Sequence, residues 1–258
     1  HGPTLIDNNI LLSDVSLRFA TQGVAMVHNL ICGALTCVGE GTGWRYTPYH
    51  MPHRTEVMGF MTILHGDDRF YNNIVQKWPS EDFITMHDSD DGFDSENRRV
   101  GTWMFDEYPT YDEWISQFDF TKPADMKKLE PVHFEHLPVW SEGNVYLNGA
   151  KAWKHEKDGF VSSENAKVEL TEKDGKYILD TNIYEILGDF SDRMINTEIL
   201  GKAFEPEEFF ENPDGTPIRF DSDYFGGHRG AKVIPGPFAE KEEIGKNVNM
   251  STCALNKL

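Results

Sequence analysis

Asp67-Asp68-Arg69-Phe70-Tyr71-Asn72-Asn73-Ile74-Val75 is the stretch on which the fold turns, and its tail recurs along the chain. Asp7-Asn8-Asn9-Ile10-Leu11 and Val27-His28-Asn29-Leu30-Ile31 precede it, and Glu142-Gly143-Asn144-Val145-Tyr146 follows. Each copy is a polar pair ending in Asn, then two apolar residues. Asn9 and Asn29 are 20 residues apart and Asn29 and Asn73 are 44 apart, which reads as two periods of about 22, a repeat size that marks stacked supersecondary units. Short apolar strands on either side of a polar corner describe one coil of a parallel β-helix. In such a stack, equivalent Asn side chains hydrogen-bond from coil to coil and satisfy buried corner groups. A hairpin meander would explain the strands and turns, but it gives no reason for Asn to recur at one place. The expected class is all-β.

Working outward, Gly39-Glu40-Gly41-Thr42-Gly43 breaks the period, and Pro48 and Pro52 argue for a long loop over residues 39–56. Val57 to Leu64 reads as a buried strand that leads back into the organising stretch. Residues 79–130 read as an insertion. Within it, Thr110 stands three residues before Glu113, a helix-capping signature, and residues 122–129 suggest a second short helix. The acidic run around Asp88-Ser89-Asp90-Asp91-Gly92 lacks the bidentate Glu of a calcium loop and is expected to be a solvated loop. The strand pattern resumes at Pro138 and ends at Asn148-Gly149. Lys173-Asp174-Gly175-Lys176 between apolar runs is a hairpin signal. The chain therefore divides into stacked coils over 1–151 and a small β-rich appendage with a polar tail over 152–258, the appendage being expected against the end of the stack to cap it.

Twenty-four basic and 43 acidic residues give a formal charge of −19. This balance opposes sequence-independent binding to nucleic acid, which needs a cationic footprint, and adsorption to anionic membranes. Cys32, Cys37 and Cys253 are too few and too irregular for a disulfide framework, which favours free thiols, a reducing compartment and a cytoplasmic location. No apolar run has membrane-spanning length. His1 stands directly before a strand-like run with no leader and reads as a cut end.

His1-Gly2-Pro3, Leu5-Ile6-Asp7-Asn8-Asn9, Val27-His28-Asn29-Leu30, Thr47-Pro48-Tyr49-His50, Pro52-His53-Arg54-Thr55, the stretch from Gly66 to Ile74, and Asn144 to Lys151 together carry a resemblance. In order and spacing the chain resembles the C-terminal half of glycoside hydrolase family 120, the right-handed parallel β-helix β-xylosidases. The resemblance covers roughly residues 1–151, and more loosely extends to Gly226. It implies a retaining exo-glycosidase acting on xylo-oligosaccharides, with an Asp nucleophile and a Glu acid/base on adjacent coils. As the family aligns, both carboxylates fall before His1: the Glu a few residues upstream, the Asp one coil earlier. The resemblance thus implies a partner, the N-terminal half of the same enzyme, in the same gene or as a separate chain. A homo-oligomer is compatible with it.

The residues that can line a site follow. His1 borders the missing Glu. Arg18, eleven residues before Asn29, stacks next in the register of that Glu, where a cation would favour the ionised carboxylate; a surface Arg paired with Asp14 is the alternative. His50 and His53 can donate to sugar hydroxyls or bond to backbone, and Trp44, Tyr46 and Tyr49 offer flat faces to a pyranose ring. Were the chain catalytic alone, Glu56 with Asp67 or Asp68 would be its acid and base. An ion pair or turn inside Asp67-Asp68-Arg69 is the structural alternative, and the favoured one. No metal site and no cofactor is expected, since His50, His53 and His65 match no ligand spacing. Two other functions remain open: a non-catalytic carbohydrate-binding β-helix module, and a β-helix polysaccharide lyase using Arg18.

Overall fold

The computed structural model describes residues 2–37, 46–77, 100–129, 135–240 and 248–249. Its first part is a stack of parallel strands. β1 (Thr4–Asp7), β2 (Ile10–Leu11) and β3 (Val15–Phe19) form the first layer, and β4 (Val24–Val27), β5 (Leu30–Ile31) and β6 (Ala34–Cys37) the second. An antiparallel hairpin of β7 (Tyr46–His50) and β8 (Val57–Thr62) follows. The third layer holds β9 (Asp68–Tyr71) and β10 (Ile74–Gln76). After the short helices α1 (Tyr111–Ile115) and α2 (Met126–Leu129), the fourth holds β11 (Val139–Glu142) and β12 (Val145–Leu147), and β13 (Phe160–Val161) extends the stack. The strands assemble into sheets in the orders β1-β4-β9-β11, β13-β12-β10-β5-β2 and β3-β6, with parallel pairing throughout.

The register corrects the repeat count. Thr4 pairs with Val24 and Ala25 with Arg69, so the 20- and 44-residue spacings each span one layer. The longer spacing is one period interrupted by the β7–β8 hairpin. The segment expected to be a loop is therefore partly a strand, and the strand expected to be buried is the outer arm of that hairpin, with Val57, Met58 and Phe60 about half exposed or more. Pro48 pairs opposite Phe60 in the hairpin. Among the described residues β7 pairs only with β8, so Pro48 occupies an edge strand, where its missing N–H leaves no central ladder bond unmade.

The Asn ladder is present. Asn9 N–H donates to Asn29 Oδ1 (2.9 Å), Asn29 N–H to Asn73 Oδ1 (3.0 Å) and Asn73 N–H to Asn144 Oδ1 (2.9 Å). Each of the last three Asn side chains also donates to a carbonyl of the preceding layer's first strand: Asn29 to Ile6, Asn73 to Met26 and Asn144 to Phe70, all at 2.8 Å. The residue before each Asn has positive φ: Asn8 (53°), His28 (58°), Asn72 (55°) and Gly143 (68°). At the last of these Gly also makes room, because a Cβ on Gly143 would lie 1.9 Å from Asp192 Oδ2 and that side chain would have to shift. Glu156 ends the ladder, its carboxylate accepting from Asn144 N–H (3.0 Å), Tyr146 O–H (2.9 Å) and Ser141 O–H.

Alternation along each strand explains its apolar character on both faces. Val24, Met26, Ile31, Phe70, Val75 and Tyr146 point into one core with Phe19, Phe105 and Trp153. The alternate residues point outward and are covered by the C-terminal part. Ala25, Val27 and Tyr71 meet Ile195, Leu200, Phe210 and Phe220, while Leu30, Ile74, Val145 and Leu147 meet Leu179, Ile183, Tyr184 and Phe238. Strands buried on both faces read as continuous apolar runs.

The C-terminal part thus lies along the flanks of two sheets, contacting successive layers, rather than against the end of the stack. It contains the expected hairpin, β14 (Val168–Lys173) with β15 (Lys176–Thr181), which turns through Asp174 and Gly175. It also holds α3 (Ile183–Leu187), β16 (Asp192–Arg193), α4 (Thr197–Leu200), β17 (Lys232–Val233) and β18 (Val248–Asn249). The expected capping box is formed on α1, with Thr110 and Glu113 bonding reciprocally.

Candidate functional site

A cleft of about 430 Å³ opens where the start of the first layer, the β7–β8 hairpin and residues 206–213 meet. Gly2, Pro3 and Leu5 line one side, Pro48, Tyr49, His50 and His53 another, and Glu208, Phe209, Phe210 and Glu211 a third. The volume falls within the range of small-molecule pockets. Three residues named from the sequence, Tyr49, His50 and His53, are brought together here. His1 and Trp44 lie outside the described residues, as do the acidic run over 86–99 and Cys253.

The hairpin positions its side chains through its pairing. Tyr49 lies opposite Gly59, where an added Cβ would come within 3.0 Å of the tyrosine ring. The glycine makes room for the ring. The Nδ1–H of His50 donates to Thr55 O at 3.2 Å, which fixes this imidazole to the hairpin's own backbone. His53 sits near the tip with φ 56°, an uncommon conformation for a non-glycine residue. Its Nε2 lies 2.6 Å from Glu211 Oε1, and its N–H donates to Glu208 Oε1 at 3.4 Å. His65 is not part of this group. It is buried, with Nδ1 3.4 Å from Cys37 Sγ, and burial pushes its pKa down to about 4.

The opposite wall is held by the organising stretch. Arg69 forms a buried ion pair with Asp67 Oδ1 at 2.7 Å and donates to Leu200 O and Lys202 O, each at 2.7 Å. Its guanidinium lies 4.5 Å from the Trp140 ring centre and 4.7 Å from that of Phe210. Asp67 Oδ2 accepts from Phe204 N–H at 2.9 Å. Residues 200–204 are thereby pinned to β9, and they lead directly into the cleft wall. Thr197 Oγ1 adds a bond to Phe210 O at 2.7 Å.

Burial outweighs the Arg69 charge and pushes the Asp67 carboxyl up to about 6. Asp68 faces the core, level with Val24 and Val139. Its Oδ1 accepts from Val24 N–H at 3.0 Å, its Oδ2 has no partner among the described residues, and burial holds its pKa well above the usual range. Glu56 is exposed beside Arg54, 3.9 Å away, whereas Asp67 and Asp68 are buried.

The Asp68 environment gives a first expected result. The folded pKa is raised, so Asp68 contributes fully to stability below the unfolded value, about 3.9. That contribution is lost as pH rises toward the folded value, at up to about 1.4 kcal/mol per pH unit. Asp68→Asn keeps an oxygen for Val24 N–H and removes the titration. Urea unfolding should show it more stable than the parent by a margin that widens from pH 5 to pH 8; a constant difference would contradict a protonated Asp68.

Arg18 is exposed on β3, paired by register with Thr36 on β6, and does not line the cleft. Glu208 and Glu211 were not legible as site residues. They stand more than 150 positions from His53 in an acidic segment without a motif, and the pinning of residues 200–204 together with the Thr197–Phe210 bond holds that segment beside the hairpin. No helix of the described residues is long and apolar enough to cross a membrane.

No protein-family model and no curated protein matches the sequence. Among solved structures, XylC in complex with xylose is similar, with a TM-score of 0.78 and 28% sequence identity over 96% of this chain. The match takes in 35% of XylC, so this chain spans about a third of that protein's length.

Proposed function

We propose that this chain is the C-terminal portion of a retaining glycoside hydrolase acting on xylo-oligosaccharides, and that its layers are coils of a right-handed parallel β-helix. The observation carrying this reading is the likeness to XylC with xylose, which extends over 96% of the chain. Parallel stacking in one register adds support, because strand–crossover–strand units are almost always right-handed.

Retention requires two carboxyls about 5–5.5 Å apart, and neighbouring strands about 4.8 Å apart supply that spacing when each carries one. The family resemblance implies an acid/base Glu and a nucleophilic Asp before residue 1, and in this reading they lie on layers that stack on β1, β2 and β3. In this arrangement the Glu protonates the leaving oxygen, the Asp attacks the anomeric carbon, and the deprotonated Glu then activates water. The present chain supplies scaffold and wall. Tyr49 offers an aromatic edge, and His50 and His53 face the opening; Arg18 lies in the strand next in register to the Glu. The N-terminal half is the partner that completes the site.

Hydrolysis of a nitrophenyl β-xyloside tests this, first with residues 1–258 alone and then with the upstream half present. Activity is expected only in the second case. Activity of residues 1–258 alone would move the chemistry to carboxylates of this chain. Xylose binding with no hydrolysis in either case would favour a carbohydrate-binding module.

A further inference from the structure

We propose that His53, Glu208 and Glu211 form a binding site for a divalent transition-metal cation of the zinc class. One ligand atom from each residue lies within 4.8 Å of the others, and the three come from two segments that meet only in the folded protein. His53 is half exposed and Glu211 largely buried, so the group lies at the rim of the cleft rather than loose on the surface.

Zinc on His53 Nε2 takes the place of the proton that Glu211 Oε1 now accepts, and that proton leaves to solvent. Among the described residues, Glu211 uses one oxygen on His53 Nε2, and Glu208 Oε1 accepts a long bond from the backbone N–H of His53. Among the described residues, no Lys or Arg pairs with either carboxylate. Two carboxylates held this close repel each other, and an added cation offsets that cost. Donors in a tetrahedral zinc site, each about 2.0–2.2 Å from the metal, stand roughly 3.4 Å apart. Small side-chain rotations within the present span reach that spacing. One nitrogen and two carboxylates suit zinc, whereas calcium and magnesium take oxygen alone. With three protein ligands the fourth position opens to the cleft, for water or a hydroxyl.

Such an ion ties the hairpin tip to residues 208–211, so two cleft walls are held by one bond set. The backbone already favours this placement. His53 has a positive φ of 56°, and Gly215 neighbours its ring, where an added Cβ would stand in ordinary contact at 3.5 Å from Nε2.

The test is calorimetric titration of chelator-treated protein with zinc at pH 7.5, with calcium and magnesium as controls. One equivalent of zinc is expected to bind, cobalt should give the visible absorption of a tetrahedral site, and the control ions should not saturate. His53→Ala and Glu208→Gln should each weaken zinc binding by more than about tenfold, with unchanged circular dichroism. Glu208→Gln is the deciding variant, because a plain His53–Glu211 ion pair does not need Glu208. No saturable uptake by the parent, or uptake unchanged by Glu208→Gln, would overturn the proposal. The readout is binding, so the outcome is independent of whether the glycosidase reading holds.

Discussion

Asn73→Ala is expected to destabilise the fold by about 3–5 kcal/mol, as estimated from the groups it strands. Asn73 is the central rung. Its Oδ1 accepts from both the N–H (3.0 Å) and the side chain (2.9 Å) of Asn29, and its Nδ2 donates to Met26 O (2.8 Å) and Asn144 Oδ1 (2.9 Å). Truncation leaves Asn29 N–H and Met26 O buried without these partners, and each such group costs about 1–3 kcal/mol. Asn9→Ala is the control, because Asn9 is exposed on the first layer and water can replace what it loses; about 1 kcal/mol or less is expected there. Denaturant unfolding of both variants measures the difference. Equal costs at the two positions would mean that the ladder contributes no more than a surface turn.

Arg69→Met should cost a similar amount, about 3–5 kcal/mol, because it removes one partner of a buried ion pair. Two carbonyls of residues 200–202 lose their donor at the same time. Limited proteolysis should then open the chain between residues 196 and 213 before the layers unfold. The effect carries a pH signature. Asp67 has a folded pKa of about 6 against an ordinary 3.8, so its contribution to stability is complete below about pH 4 and is lost as pH rises through about 6. Removing the guanidinium raises that pKa further, and the loss extends to higher pH. Arg69→Met should therefore be more damaging at pH 8 than at pH 5. Asp67→Asn/Arg69→Met should recover part of the deficit, since no charge is then left unpaired. A pH-independent cost, or one below about 1 kcal/mol, would mean that the pair does not hold the cleft wall.

The ladder was legible because its chemistry is local: an Asn must follow a left-handed residue and precede two inward and outward apolar positions, so the pattern repeats in the sequence itself. The layer count was less legible. A spacing of 44 between Asn29 and Asn73 divides evenly into two periods, and only the pairing of Ala25 with Arg69 shows a single layer with a hairpin inserted. Pro48 disguised β7, since proline signals a loop unless the strand is known to lie at an edge. Glu156 went unrecognised as the final rung because a Glu performs there what an Asn does elsewhere. Tyr49, His50 and His53 were named from composition and chain position, and the structure shows that they line one cleft; the Asp67–Arg69 pair was read from the adjacency of its charges. Glu208 and Glu211 depend on contacts across most of the chain, which no local pattern encodes.

The corners that carry the ladder also determine where this chain can change length. Between the first and second sheets the link is always two residues: 8–9, 28–29, 72–73 and 143–144. One residue added there turns the following strand over and exchanges its inner and outer faces. The links that return to the first sheet obey no such limit. One is a short turn over 20–23, the next carries the cleft-forming hairpin, and the third carries α1 and α2. The molecule thus has one side of fixed pitch and one side open to grafting, and the cleft beside the hairpin lies on the side where segments can be exchanged without disturbing the stack.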